Sequence, residues 1–413
     1  MGFQQAERMI GVRPSPIRKV LDRAKQMQRD GREIIHLEIG EPDFTTPFPI
    51  MEAAVRRMFA GETHYTANRG VPELLSAISR DLERRDEVRY SPAEEIIVTA
   101  GVAEALFDTI FAYVNPGDEV IGFSPAFINY AMDLSMAGAV YVPASLRMED
   151  GFQPDCEALE TLITNKTRML ILCNPCNPSG AVFGPEALKR IAEIAVRYDL
   201  LVISDQIYDR LVYDAERIGS IASLPGMRER TILLNGFSKA YAMTGWRLGY
   251  LAADRTLISP ILRVHQYLTT CLPAFVQNAV AEKLEDPETE RIVRERVAEF
   301  RARRDELVRL LQEVPGVCFS VPQGAFYLML NVRGTGLDGE TFAERLLEEQ
   351  GIAVVPARAF GEAYGDYIRI SYAASLDMIR RGVEGIAALA RKLSEGTDTS
   401  TSCKDPDVLC RDN

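Results

Sequence analysis

Lys239 follows the apolar run Thr231–Leu234, has Ser238 directly before it and has Arg247 eight residues further on. A lysine amine adds to an aldehyde to give a Schiff base, and its neighbours can lower its pKa so that the reactive neutral amine is present near neutral pH. A guanidinium presents a planar fork that matches a phosphate group. Brought together, these residue types suit an aldehyde cofactor that also carries a phosphate. On spacing alone, a solvated lysine and a surface arginine remain the commoner reading.

Such groups need a rigid frame. From residue 96 to about 285, short apolar runs alternate with amphipathic stretches. Ile96–Thr99, Glu119–Phe123, Ala139–Val142, Met169–Leu172, Leu200–Ser204, Thr231–Leu234 and Leu248–Leu251 read as strands, and Glu104–Tyr113, Phe127–Met136 and Pro185–Tyr198 as helices. Continuous apolar strands separated by helices predict an α/β fold with a mostly parallel sheet covered on both faces. Upstream, 14–33 reads as a charged helix and Ile34–Ile39 as a short strand before a turn at Gly40–Asp43. Residues 47–60 and 71–88 read as helices, the second with Pro72 at its favoured first position. Downstream, 287–313 reads as a long charged helix. The strand signals Phe319–Val321, Phe326–Leu330, Ile352–Val355 and Tyr367–Ser371, with helices at Gly339–Gln350 and Leu376–Leu393, then predict an α+β unit. Residues 396–413 are polar and read as a flexible tail.

Composition bounds the function. The chain has 413 residues, 47% hydrophobic and 26% charged, which is ordinary for a folded protein of two or three domains. A net charge of −12 argues against non-specific binding to nucleic acid or to an anionic membrane. No window of 18 residues is continuously apolar, and the first 13 residues carry no apolar segment of signal-peptide length. The seven cysteines are odd in number and scattered, so a reducing, cytoplasmic setting is expected. Cys173 and Cys176 form one C-x-x-C pair, but there is no second pair and there are only three histidines (His36, His64 and His265), so no metal site is expected.

The segment Gly236–Gly249 resembles, along all fourteen residues, the cofactor-lysine signature of the class I/II pyridoxal-phosphate aminotransferases of fold type I. Other pieces follow in the order that family requires: Gly40–Asp43, Tyr65 with Gly70–Leu74, Asn174–Gly180, Ser204–Tyr208 and Arg369–Tyr372. The resemblance covers most of residues 14–390. It implies a large domain over 46–286 with a seven-stranded sheet, and a small α+β domain built from 14–45 and 287–395. It implies pyridoxal 5′-phosphate as cofactor, held by Lys239 as an internal aldimine whose freed amine later shuttles a proton. Asp205 would pair with the pyridine nitrogen and keep the ring an electron sink. Tyr208 and Asn177 would donate to the phenolic oxygen. Gly101, Val102, Ala103, Ser238 and Arg247 would hold the phosphate, where helix-terminal N–H groups favour an anion. Phe127 would stack on the ring, and Tyr65 would reach the phosphate of a second subunit in a homodimer. Arg369 would grip the substrate α-carboxylate, with Gly40 and Asn177 closing over it.

The implied reaction moves an amino group from an L-amino acid to a 2-oxo acid in ping-pong steps. The same scaffold also serves elimination, cyclopropane-forming and oxidative chemistry, which the lysine, aspartate and arginine do not separate. A cofactor-sensing regulator would need a DNA-binding unit for which the chain leaves no residues. Two positions depart from the family pattern. Gln206 replaces the usual Glu after the pyridine aspartate. Ala103 stands where the branch specific for aspartate and prephenate commonly has Lys, and it offers no cation to a second carboxylate. With Ile17, Phe127 and Tyr130 as apolar candidates nearby, a hydrophobic, aromatic or specialised substrate is expected rather than a dicarboxylic one.

Overall fold

In the computed structural model, the residues described are 3–214 and 218–394, with the backbone of 408–410. The apolar runs of the first two-thirds of the chain assemble into one seven-stranded sheet. Across the sheet the strands lie in the order Ile96–Thr99, Gly249–Ala252, Thr231–Gly236, Leu201–Asp205, Thr167–Cys173, Glu119–Ser124 and Val140–Ser145. Gly249–Ala252 runs antiparallel to both neighbours, and the remaining pairings are parallel. Parallel strands need crossover helices, and these bury both faces of the sheet. Every residue of Ile96–Thr99, Thr231–Gly236 and Gly249–Ala252 is accordingly buried.

The helix expected at Glu104–Tyr113 begins earlier, at Val102. Gly101 turns the chain at φ +79°, and the Glu104 carboxylate reaches back to accept from the Ala100 N–H. The start is therefore set by a left-handed glycine and a carboxylate three residues on. Val102 and Ala103 consequently form the helix's first turn. Phe127 caps the helix Ile128–Met136 rather than lying within it.

The two ends of the chain meet. Ile35–His36 pairs in parallel with Ile352–Ala353, and the Ser371 N–H donates to the carbonyl of Leu37. The run Ile352–Val355 is not one strand. Its first half pairs with the N-terminal segment, while Val355–Pro356 joins an antiparallel five-stranded sheet with Tyr367–Ser371, Tyr327–Asn331, Cys318–Ser320 and Val408–Cys410. The last strand falls in the segment read as a flexible tail. Its β-prone residues pair with Cys318–Ser320, whose outer edge would otherwise offer unpaired backbone groups. The other residues of 396–413 lie outside the described residues. Cys318, in register with Cys410, is disulfide-bonded, a departure from reduced cysteines throughout, while Cys156, Cys173, Cys176 and Cys271 are free. No described helix is long and apolar enough to cross a membrane.

Candidate active site

The C-terminal ends of the parallel strands, the turn after Ile35–His36 and the antiparallel strand Tyr367–Ser371 bring Lys239, Asp205, Tyr208, Asn177, Gly40 and Arg369 to one region. Lys239 lies just past Thr231–Gly236, and its amine donates to the Gly40 carbonyl at 2.6 Å. The Nζ also lies 5.9 Å from the Tyr208 ring centre and 5.8 Å from that of Phe326. Burial, with the charges of Arg369 and Arg247, pushes the amine down to about 8.

Asp205 ends the strand Leu201–Asp205 and is buried. Its carboxylate accepts from the Tyr130 hydroxyl at 2.7 Å and from the Ile207 N–H at 3.1 Å. Burial raises it to about 6 against these hydrogen bonds and the nearby Lys239 charge. The Tyr208 and Tyr327 hydroxyls lie 2.9 Å apart, and burial raises the Tyr208 phenol well above its ordinary value.

Arg369, in the strand Tyr367–Ser371, is only 2% exposed. Its Nη1 donates to Asn177 Oδ1 at 3.1 Å and its Nη2 to the Glu38 carbonyl at 2.6 Å. The guanidinium carbon lies 4.4 Å from the Tyr327 ring centre and 4.9 Å from that of Phe360. Its Nε has no hydrogen-bond partner among the described residues. A buried fork with a spare donor could receive a carboxylate.

Arg247, eight residues past Lys239, donates to the carbonyls of Thr244 (2.9 Å) and Ala100 (3.2 Å). A Cβ on Gly101 would lie 2.7 Å from its Nη2, and a Cβ on Gly249 would lie 2.7 Å from the Gly101 carbonyl carbon. Only glycine at both positions lets the arginine and the helix start close on one another. Ser238 is buried beside Lys239, and Ala103 is exposed. Together these residues fit pyridoxal phosphate: a depressed-pKa amine for the aldehyde, a buried carboxylate for the ring nitrogen, and an arginine with a helix start for the phosphate.

The remaining expected residues stand further out. Phe127 is partly buried, with its ring centre 5.9 Å from that of Tyr130. Ile17 packs against the apolar cluster that includes Phe360 and Tyr364. Tyr65 is 90% exposed and touches none of these groups. Sequence reasoning passed over Tyr327 and Phe360 against Arg369, the bond from Tyr130 to Asp205, and a buried cluster of Glu104, Asp108 and His265. Single aromatic residues carry no pattern, so only their distant partners reveal them.

The profile of the family described as Aminotransferase class I and II matches residues 32–386. Over 386 residues the chain is 41% identical to the putative aminotransferase YugH of Bacillus subtilis, covering 94% of this chain and 97% of that protein. It is 39% identical to the aspartate aminotransferase of Pyrococcus abyssi, covering 94% and 98%. Its fold matches the crystal structure of an aromatic aminotransferase from Pyrococcus horikoshii with a TM-score of 0.84 at 39% identity, covering 90% and 99%.

Proposed function

This chain belongs to the class I and II aminotransferase family and is a pyridoxal-phosphate-dependent enzyme of α/β fold, and from that premise we propose that it moves the amino group of a hydrophobic or aromatic L-amino acid to a 2-oxo acid. Pyridoxal phosphate, when bound, supplies the electron-withdrawing ring that makes the substrate α-hydrogen acidic. The chain's own residues do the rest. Lys239 anchors the aldehyde carbon and afterwards carries the proton on its Nζ, for which a pKa near 8 suits both acceptance and release. Asp205 holds a proton at the ring nitrogen, and Tyr130 orients it. Tyr208 and Asn177 donate to the phenolic oxygen. Gly101, Val102, Ala103, Ser238 and Arg247 hold the phosphate, and Phe127 lies against the ring. Arg369 orients the α-carboxylate while Gly40 closes over it and excludes water.

The observation that carries the substrate reading is the wall beside Arg369. Phe360 faces the guanidinium and is packed in one apolar cluster with Ile17, and exposed Ala103 offers no cation for a second carboxylate. The names of the relatives, aspartate and aromatic alike, leave that choice to this geometry. The reading includes a homodimer. Phe48, Phe59, Tyr65 and Tyr267 are 70%, 84%, 90% and 88% exposed, large apolar side chains that a second copy would cover, with Tyr65 at the neighbour's phosphate. It also includes a small domain from 14–45 and 287–395 around a large domain over 46–286, and a cytoplasmic location, which the four free thiols favour and the disulfide at Cys318 does not. A donor screen against 2-oxoglutarate tests the substrate class. Aromatic and branched donors are expected to exceed aspartate in kcat/KM, and a preference for aspartate would overturn it.

A further inference from the structure

His265, in the helix Arg255–Leu268, is fully buried, although histidine plays no part in the chemistry above. Its two ring nitrogens face acceptors from two different elements. Nδ1 lies 3.0 Å from Glu104 Oε1, in the first turn of the helix Val102–Tyr113, and Nε2 lies 2.8 Å from the Asn68 carbonyl. A carboxylate and a carbonyl can only accept, so the ring donates from both nitrogens and is an imidazolium. Burial opposes that charge, but the bond to Glu104 and its charge outweigh burial and raise the His265 pKa. The other group facing the ring is Asp108, with Oδ2 3.7 Å from Nδ1. It is fully buried, neither oxygen has a hydrogen-bond partner among the described residues, and burial followed by the Glu104 charge pushes it up to about 7.

Each end of this pair leads somewhere. The second oxygen of Glu104 accepts from the Ala100 N–H, which fixes the turn that Arg247 clasps. Asn68 lies in the stretch 60–71, which has neither helix nor strand, and side chains supply part of its hydrogen bonding. Asn68 Nδ2 donates to the Thr270 carbonyl at 2.7 Å, and Gln277 accepts from the Val71 N–H at 2.9 Å. Tyr65 stands on this stretch.

We infer that His265 is a positioning residue that ties the phosphate-holding turn at Ala100–Glu104 to the Tyr65-bearing stretch, so that cofactor affinity and subunit pairing are coupled through one buried ion pair. The inference rests on the phosphate and Tyr65 assignments proposed above.

The test compares reconstitution of the full chain with pyridoxal phosphate and with phosphate-free pyridoxal, alongside sedimentation of the holoenzyme. Breaking hydrogen bonds to charged groups costs about tenfold or more in binding. His265→Gln is expected to lose about that factor for pyridoxal phosphate, much less for pyridoxal, and to weaken the dimer. A general loss of stability would lower both affinities alike, and that result overturns the inference. Arg247→Ala separates the two readings. If it loses phosphate-dependent affinity while His265→Gln does not, the tie alone fails; if Arg247→Ala loses none, the phosphate assignment fails and takes the tie with it. Should His265→Gln not fold, the wild-type holoenzyme decides. With three histidines in the chain, 15N-labelled imidazole signals can be assigned, and His265 is expected to show both ring N–H protons at pH 6.5, the ordinary imidazole midpoint. A bare ring nitrogen there, or a metal ion bound at Nδ1, overturns it.

Discussion

The amine of Lys239 donates to the carbonyl of Gly40 across 2.6 Å and 199 residues of sequence. The contact joins the loop after a central strand to a turn from the chain's other end. It gives the amine an acceptor and no carboxylate in direct contact, while burial and two arginines favour its neutral form. The rate at which apoprotein captures pyridoxal phosphate covalently should therefore rise with pH and level off above about 8. A borohydride-trapped time course would read it, and a rate still climbing tenfold per pH unit through pH 10 would remove the depressed amine. The folded chain binds fewer protons than the unfolded one between about pH 8 and the ordinary lysine pKa, so this group's destabilising effect is full below 8 and fades as pH rises. Apoprotein carrying Lys239→Met should be more stable than wild type at pH 7, with the gap narrowing toward pH 10.

Arg369 is buried between two aromatic rings, with its fork already aimed by Asn177 and the Glu38 carbonyl. Arg369→Lys keeps the charge and loses the fork. Each hydrogen bond to a charged group contributes about 1.5–3 kcal/mol, so kcat/KM should fall by about tenfold or more for the amino acid and for the 2-oxo acid alike. Steady-state kinetics in both directions checks this. A loss confined to one substrate would place the carboxylate elsewhere.

Gly101→Ala adds a single methyl group. It would stand 2.7 Å from the Arg247 guanidinium, on a backbone at φ +79° that alanine rarely adopts. Affinity for pyridoxal phosphate should drop about tenfold or more, in line with the strain of a non-glycine residue in that region. Fluorescence titration of the apoprotein measures it, and unchanged affinity would show that the turn does not hold the phosphate.

Tyr130→Phe removes the hydroxyl that donates to Asp205 and leaves the ring packing intact. The carboxylate, already raised to about 6, should rise further, and kcat should fall by about tenfold at pH 7 while the aromatic core stays folded. The pH profile of kcat distinguishes this from a packing effect, because its acid limb should move upward in the variant. An unmoved limb would mean that the hydroxyl does not tune Asp205.

Much of this frame is legible in the residues themselves. The alternation of apolar runs with helices from residue 96 onward announces the sheet, because strands buried on both faces must be apolar throughout. Lys239, Asp205 and Arg369 are legible through the family motifs that carry them, Gly236–Gly249, Ser204–Tyr208 and Arg369–Tyr372. What stays hidden has long range and no period. Tyr130 meets Asp205 across 75 residues, and His265 meets Glu104 across 161, with no local pattern at either end. Ile352–Val355 reads as one strand because its residues are uniformly apolar. Only the two different partners, Ile35–His36 and Tyr367–Ser371, divide it.

Transfer of label from a 15N-phenylalanine donor to 2-oxoglutarate, followed by mass spectrometry with wild type and Lys239→Ala in parallel, addresses the proposed reaction without intermediary assumptions. Wild type should give 15N-glutamate with phenylpyruvate in equal amount, and Lys239→Ala should give neither above background. Appearance of the label as free ammonia, or equal turnover by the two proteins, would contradict amino transfer through Lys239.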